Sequence, residues 1–398
     1  MKDNKDWFKQ LEKYVAGGSS TGSKRATMQP EEPTVIIKGD GCRVYDANKK
    51  EYIDYRNGLG PVTLGYNYKE INSAIKRQLN KGIVYGHPTP LEGEVAKMLV
   101  EVIPCAEKVR FLKTGGEALA ACIKLSRAYT KKKHIIQIGY NGWLNSLSTG
   151  AKLNPRETSS GTPLGIPEQI SQLHHNVPWN DLQTVKQLYE TYKGDIAAIV
   201  VAADYKQMDQ GKTFYPFLRD ITTKNETVLV FDEIVTGFRV ALGGVSEYFN
   251  VVPDMAVFAK GIANGMPLSV FTGKKEIMDY VSKGATVSST YGGEALSLAA
   301  CKQAIKIYKE EKVVDHLWKM GEKLWGAVNR MFEEKNIEIR VKGYPPCAIF
   351  VAKDDNLLKE FFKRAYLNGV SLYNVSYVNY SHKEKDIEET IERINKCF

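Results

Sequence analysis

No stretch of this chain approaches eighteen consecutive apolar residues, so nothing in it reads as a membrane-spanning helix. The opening words, MKDNKDWFKQLEKY, are charged and amphipathic and lack the apolar core of a secretion signal, so the expected compartment is the cytoplasm. Cysteine is sparse. Cys42, Cys105, Cys122, Cys301, Cys347 and Cys397 lie far apart, which excludes zinc-like pairing and points to reduced thiols and no metal. No Gly-x-Gly-x-x-Gly follows a first strand, which argues against a dinucleotide-dependent oxidoreductase. The glycine-rich run from Gly17 to Arg25 fails as a phosphate loop, because Gly22 is followed by Ser23 and not by Lys. Blocks of one charge sign are also missing. The net charge of +9 is scattered over 398 residues, and its densest cluster, Lys131-Lys132-Lys133, reads as a solvated helix end rather than a nucleic-acid surface. No internal repeat is present.

What remains is an ordinary globular composition, 43% hydrophobic and 25% charged, on a chain long enough for more than one domain-sized core. Two short apolar runs organise it. Val228-Leu229-Val230-Phe231 ends in Asp232, and Met255-Ala256-Val257-Phe258-Ala259 ends in Lys260. Continuous apolar runs of this length read as strands buried on both faces of a parallel sheet, where ligands bind at the carboxyl ends. A strand-end acid and lysine could simply cap turns. The chemistry that needs both is that of pyridoxal phosphate. A lysine amine kept neutral by burial can bond covalently to an aldehyde, and a carboxylate keeps a pyridine nitrogen protonated.

Upstream, residues 1 to about 16 carry Trp7, Leu11 and Tyr14 at helical spacing, and residues 33 to 54 alternate as short hairpin strands around Asp40-Gly41 and Asn48. Helices are expected over Tyr68–Gly82, Pro90–Val102 and Asp181–Tyr192, and another that Lys113-Thr114-Gly115-Gly116-Glu117-Ala118 leads into and that runs to about Thr130, with strands at Val109–Leu112, Ile135–Ile138 and Ile196–Val201. Strand, glycine pair and helix at Thr114-Gly115-Gly116 form a recipe for holding an anion on helix N–H groups. Residues 150 to 180, rich in Ser, Gly, Pro and Asn, read as a long loop that governs substrate choice. Beyond Leu296, two helices to about Glu334, strands at 337–342 and 348–352, and helices at 357–368 and 385–397 suggest a small α+β domain, with Ser381 as a cap for the last helix.

The longer words FDEIVTGFR and FAKGIANGMP resemble the two signature segments of class III pyridoxal-phosphate-dependent aminotransferases, and the likeness is greatest to the glutamate-1-semialdehyde 2,1-aminomutase branch. The resemblance continues in order over most of the chain. It implies fold type I, aspartate-aminotransferase-like α/β architecture, with a mostly parallel seven-stranded sheet in a large domain and a small α+β domain. The corresponding divisions are an N-terminal segment 1–54 that packs with the small domain, a large cofactor domain 55–295 and a C-terminal domain 296–398. It also implies roles. Lys260 bears the cofactor, Asp232 holds its pyridinium, Tyr140 and Ile234 sandwich the ring, and Thr114, Gly115 and Gly116 hold the phosphate. Thr290, in VSSTYGGEAL, would reach the cofactor phosphate of a partner subunit in a homodimer. Ser20, Lys24, Arg25, Leu59 and Asn141 are the candidate substrate contacts.

The chain departs from the family pattern at Gly116, where a hydroxyl usually sits, and at Asn141, in place of histidine. It departs again at Leu59, in place of the aromatic of aminomutases, at Ala202-Ala203, in place of Glu-Pro, and at Glu294-Ala295, in place of Asn-Pro. The resemblance and these departures together imply an aminotransferase moving an amino group from an amino-acid donor to a carbonyl acceptor by a ping-pong cycle, in a biosynthetic pathway for a secondary metabolite or surface sugar. An intramolecular aminomutase or a racemase is the alternative. A non-catalytic relative is a further one, supported by Gly116 and Ala202 alone.

Overall fold

The computed structural model describes residues 2–144 and 165–398. The chain forms two compact units, one of Met1–Lys69 with Asp315–Phe398 and one of Glu70–Val314. The first is therefore built from both ends of the chain. Its boundaries fall at 69/70 and 314/315, not at the expected 54/55 and 295/296. Residues 55–69 belong with the C-terminal part because they bond to it. Tyr55 Oη and Thr390 Oγ1 lie 2.7 Å apart, Asn57 Nδ2 donates to Tyr377 O, and Ser381 Oγ donates to Leu64 O.

The N-terminal half of this unit starts with helix α1 (Asn4–Tyr14), whose first turn is capped by Asp3 accepting from Asp6 N at 2.9 Å. Strands β1 (Ile36–Asp40), β2 (Arg43–Asp46) and β3 (Glu51–Asp54) follow as an antiparallel meander. After β3 the backbone takes four successive left-handed positions: Asn57 (φ 49°), Gly58 (60°), Leu59 (74°) and Gly60 (103°). Gly58 and Gly60 adopt them freely, whereas Leu59 carries a Cβ that crowds its carbonyl there, a cost of order 1–2 kcal/mol.

The second unit opens with helices α2 (Lys69–Leu79) and α3 (Pro90–Val100), then β4 (Lys108–Leu112) and α4 (Gly115–Thr130). Strands β5 (His134–Ile138), β6 (His174–Val177), β7 (Ile196–Ala202), β8 (Val228–Asp232), β9 (Met255–Phe258) and β10 (Ser269–Gly273) complete a seven-stranded sheet in the order β4-β10-β9-β8-β7-β5-β6. Strands β6, β5, β7, β8 and β9 run parallel, and β10 lies antiparallel to β9 and β4, as the fold-class expectation required. Every residue of β8 and β9 is buried, which explains why both read as unbroken apolar runs. The helix Ala295–Glu310 stays in this unit because it packs on α3, and Tyr308 Oη donates to Gly261 O.

Three stretches differ from expectation. The expected loop 150–180 lies partly outside the described residues, but its described end contains the short helix Glu168–Ser171 and β6. The sequence of β6, His-His-Asn-Val, is polar because it is the edge strand beside β5 and carries little periodic signal. The helix Gly211–Lys224 and strand β10 also escaped the sequence reading, the helix because Pro216 interrupts its pattern.

Returning to the first unit, β11 (Ile339–Tyr344), β12 (Cys347–Ala352) and β14 (Val375–Tyr377) form an antiparallel sheet, while β13 (Val370–Ser371) adds in parallel to β3. The helices Val313–Glu334, Asp355–Leu367 and Glu384–Asn395 match the expected ones within a few residues. Ser381 does not cap the last of them. Its hydroxyl is committed to Leu64 O, and the first turn is held by Lys383 N donating to Asp386 Oδ2 at 3.1 Å. Arg43 ties β2 to that helix through Asp386 at 2.9 Å and Glu389 at 2.6 Å. All six cysteines are buried free thiols. Among the described residues no helix is long and apolar enough to cross a membrane, and no group of three or more His, Cys, Asp or Glu is placed to hold a metal ion.

Candidate active site

Asp232 and Lys260 sit at the same end of two neighbouring parallel strands. Asp232 is the last residue of β8 and pairs in register with Val257 of β9, three positions before Lys260. The chain then breaks into a short 3-10 turn, Lys260–Ala263, and Lys260 itself takes φ 47°. A left-handed lysine at a strand end is strained, and such conformations persist where the surroundings over-determine them. Gly261, Ile262 and Ala263 are buried on all sides and supply that restraint, leaving Lys260 half-buried at the mouth.

The carboxylate of Asp232 is buried and accepts from Ile234 N at 3.1 Å and from Asn141 Nδ2 at 3.3 Å. Burial pushes its pKa up to about 6, against the opposing pull of these two hydrogen bonds and of the Lys260 charge. A carboxylate in that condition gains from a cationic N–H partner, because ionisation is otherwise penalised. Tyr140, just past β5, is 47% exposed, and its hydroxyl pKa is raised by partial burial and then by the Asp232 charge. Tyr140, Asn141, Asp232 and Lys260 therefore gather at the carboxyl ends of the inner strands β5, β8 and β9. Asn141, expected to meet substrate, is 1% exposed and directs its amide nitrogen to Asp232.

The anion seat follows from the start of α4. Thr114 caps the helix, its Oγ1 accepting from Glu117 N at 3.3 Å while Glu117 Oε2 accepts from Thr114 N at 2.7 Å. That leaves the amides of Gly115 and Gly116 as first-turn donors without helical acceptors, at the positive end of a sixteen-residue helix. At Gly115 a Cβ would lie 2.3 Å from Ile234 Cδ1, so a larger residue there requires the Ile234 side chain to shift. At Gly116 a Cβ would come within 3.2 Å of Leu144 Cδ1, so a hydroxyl-bearing residue would need that side chain to give by a few tenths of an ångström. Buried acid, strand-end lysine, exposed tyrosine face and glycine-lined helix start make up the donor set that pyridoxal phosphate requires, and the residues present fit that group.

Thr290 is exposed, in a turn where Gly292 N donates to Ser289 O at 3.2 Å. The neighbouring Glu294 caps the helix Ala295–Glu310, accepting from Leu296 N at 2.7 Å and Ser297 N at 3.0 Å, so Glu-Ala does structurally here what a helix start demands. Ser20, Lys24, Arg25 and Leu59 belong to the other unit. The first three line a cleft of about 260 Å³ beside α1, and Arg25 pairs there with Glu12 at 3.0 Å.

Two features were not read from the sequence. Glu233 is fully buried and accepts from Val245 N at 2.8 Å, Ser246 N at 2.9 Å and the Thr236 hydroxyl, which fixes the loop after Asp232. Burial raises its pKa to about 7 despite those donors. Lys113, just before the anion seat, binds Glu294 Oε1 at 2.8 Å and Pro267 O at 2.9 Å. The acidic doublet Asp232-Glu233 after a buried strand was the available signal for the first; the second joins residues too distant in sequence to leave one.

Comparison with known proteins agrees with this geometry. The sequence profile of the family Aminotransferase class-III matches residues 26–398. A glutamate-1-semialdehyde 2,1-aminomutase of Sulfurihydrogenibium azorense is 33% identical over 420 residues, spanning 99% of this chain and 98% of the relative. Another, of Persephonella marina, is 32% identical over 423 residues, spanning 100% and 99%. Among solved structures, a transaminase with pyridoxal phosphate bound superposes with a TM-score of 0.90 at 23% identity, covering 100% of this chain and 97% of that one. A glutamate-1-semialdehyde aminomutase of Pseudomonas aeruginosa gives 0.85 at 17% identity, covering 99% and 93%. At these identities the structures speak for the fold.

Proposed function

We propose that this chain, which belongs to the class III aminotransferase family, moves an amino group between adjacent carbons of one small substrate, as a 2,1-aminomutase. Its cofactor is pyridoxal 5'-phosphate, which when bound supplies the electron sink for a carbon that loses a proton. The observation that carries the chemistry is the placement of Asp232 at the end of β8 and of Lys260 two residues past the end of β9, its parallel neighbour, with Tyr140 close enough to Asp232 to feel its charge. Lys260 Nζ would hold the cofactor when it is bound and, once free of it, would take up and return the proton at the substrate carbon that bears the amine. Asp232 keeps the pyridine nitrogen protonated, and Asn141 holds the orientation of that carboxylate. Tyr140 and Ile234 provide the two ring faces. Gly115 and Gly116 donate to phosphate from the start of α4, with Thr114 fixing that turn. Thr290 of a second copy completes the phosphate seat in a homodimer, a reading supported by its exposure within a single chain.

The choice of an intramolecular reaction rests on the curated relatives, which are aminomutases over nearly the full length of this chain. Transfer between two molecules is the second reading, and specific residues favour it: Leu59 where aminomutases carry an aromatic, and Ala202, level with Asp232, where the family pattern has a carboxylate. Incubation of the cofactor-loaded protein with glutamate 1-semialdehyde alone separates the two. Formation of the isomer with its amine on carbon 1, without an added amino acid and abolished in Lys260→Ala, is the expected result. Turnover that appears only when L-glutamate or another donor is supplied would overturn the aminomutase reading in favour of transfer.

A further inference from the structure

The backbone that carries Lys260 is gripped by a pair of buried aromatic rings, all within the unit Glu70–Val314. Between Lys260 (φ 47°) and Asn264 (φ 44°), both left-handed, the chain turns on three buried residues, Gly261, Ile262 and Ala263. The turn's own bonds are long: Ile262 N donates to Ala259 O at 3.1 Å and Asn264 N to Gly261 O at 3.3 Å. The Gly261 carbonyl receives a second donor from outside the turn, the hydroxyl of Tyr308 on the helix Ala295–Glu310. Tyr308 is buried, and its ring stacks on Phe238 with centroids 5.4 Å apart and planes at 26°. Phe238, also buried, packs edge-on against Phe258, the last residue of β9, at 5.9 Å and 69°. Gly237 backs Phe258 so closely that a Cβ there would lie 2.2 Å from the ring. Phe258 and Gly261, on either side of Lys260, are thus held by one stacked pair.

The hydroxyl is the part of Tyr308 that packing does not explain. Its buried helix neighbours Ala304, Ile305 and Ile307 are all apolar, and a phenylalanine would fill the same space without a polar group. A buried hydroxyl costs stability unless it is bonded, and here its acceptor is the carbonyl one residue past Lys260. A left-handed lysine persists only where its surroundings hold it, and any rotation of the turn would swing the direction of its Cα–Cβ bond. Reacting groups tolerate little misplacement of that kind. We propose that Tyr308 is a positioning residue for Lys260. Its hydroxyl holds the Gly261 carbonyl, its ring holds Phe258 through Phe238, and together they fix the direction in which the lysine side chain leaves the backbone. Tyr308 acts only through Lys260. The inference rests on the reading of Lys260 as the residue that holds the cofactor and extends it to a helix which that reading does not involve.

The test uses the full chain, freed of cofactor and recharged with pyridoxal phosphate, and the variant Tyr308→Phe, which keeps the ring and removes the hydroxyl. With Lys260 present, the readout is the rate, at saturating cofactor, at which amine and aldehyde condense with loss of water, trapped by borohydride reduction. In Lys260→Ala it is the affinity for pyridoxal phosphate, from fluorescence titration. Tyr308→Phe is expected to slow attachment about tenfold, the worth of one buried hydrogen bond, and to leave affinity in Lys260→Ala within about twofold. A hydroxyl with a merely structural role would weaken both. Unchanged attachment, or a similar loss of affinity without the lysine, would overturn the positioning proposal and leave the role of Lys260 intact. Attachment that survives Lys260→Ala would instead sink the reading of Lys260, and this proposal with it. Amide hydrogen exchange needs no cofactor. Tyr308→Phe should speed exchange at Ile262 and Asn264 at least about tenfold, and unchanged protection there would also overturn the proposal.

Discussion

Asn141 Nδ2 donates to Asp232 Oδ2 across 3.3 Å, inside a pocket where burial has already lifted the acid from 3.8 to about 6. Because the folded value lies above the unfolded one, the unfolded chain gives up this proton first. The cofactor-free protein therefore loses stability as pH rises between about 4 and 6, by about 3 kcal/mol once the acid is ionised. A cationic pyridine nitrogen at Asp232 cancels the penalty, so stabilisation by cofactor should grow across the same window. Thermal unfolding with and without pyridoxal phosphate from pH 4 to 7, for wild type and Asp232→Asn, checks this. Parallel curves for the two proteins would refute it.

A Cβ at Gly115 would meet the Ile234 side chain at 2.3 Å, so Gly115→Ala displaces either that side chain or the first turn of α4. Overpacking of this kind costs about 1–3 kcal/mol. Cofactor affinity, read by fluorescence titration, is expected to fall about tenfold or more, since the phosphate donors move with the turn. Adding Ile234→Val removes the clashing Cδ1 and should recover part of the loss.

Glu294 carries two jobs at once, capping the helix Ala295–Glu310 and pairing with Lys113 at 2.8 Å. Glu294→Ala should destabilise the protein by about 2–4 kcal/mol in urea unfolding, since it uncaps a helix and strands a largely buried ammonium. Burial works against ionisation of Glu294, but the bonds from Lys113 and Ser297 outweigh it and hold the pKa below the ordinary 4.5. The sign is therefore opposite to that of Asp232. This stabilisation is present above about pH 4.5 and is lost as the solution is acidified further.

Glu233 offers a sharper stability test. Removing its carboxylate in Glu233→Ala leaves the amides of Val245 and Ser246 without their buried acceptor. A loss of about 2–4 kcal/mol is expected, from two unsatisfied donors and the cavity left behind.

Mixed dimers test the role given to Thr290. Thr290→Ala and Lys260→Ala should each be impaired alone. In a shared dimer, one site would hold an intact lysine from one subunit and an intact threonine from the other, so mixing should return about a quarter of wild-type activity. No recovery, in a mixture shown by sedimentation to exchange subunits, would remove Thr290 from the partner's site.

The sheet was legible where burial on both faces wrote it into composition. Strands β7, β8 and β9 are continuous apolar runs because neither face meets water, and Asp232 and Lys260 stand out as the charges that end them. The glycine pair at the start of α4 marked a candidate anion seat because glycines let a backbone approach a ligand, although such a pair before a helix is often just a turn. Strand β6 was not, since an edge strand with His174, His175 and Asn176 has no apolar alternation. Nor were Lys113–Glu294 or Asn57–Asn379. Partners joined only by the final fold leave no period in the chain, and each residue read alone looks like a solvated polar group.

The split construction of the first unit also governs the order in which the protein can be finished during synthesis. Residues 70–314, with the whole of the seven-stranded sheet, emerge as one uninterrupted length. The meander β1–β3 emerges before them but waits for β13, which pairs Ile53 with Val370, and for the helix whose Asp386 and Glu389 hold Arg43. At roughly 5–20 residues per second that interval is about 15–60 s on the ribosome. During it the free edge of β3 has no parallel neighbour and Arg43 has only Glu51. Nascent chains stalled before residue 370 should therefore carry a protease-sensitive N-terminus beside a resistant middle, and hold-and-release by a chaperone would act on that end first.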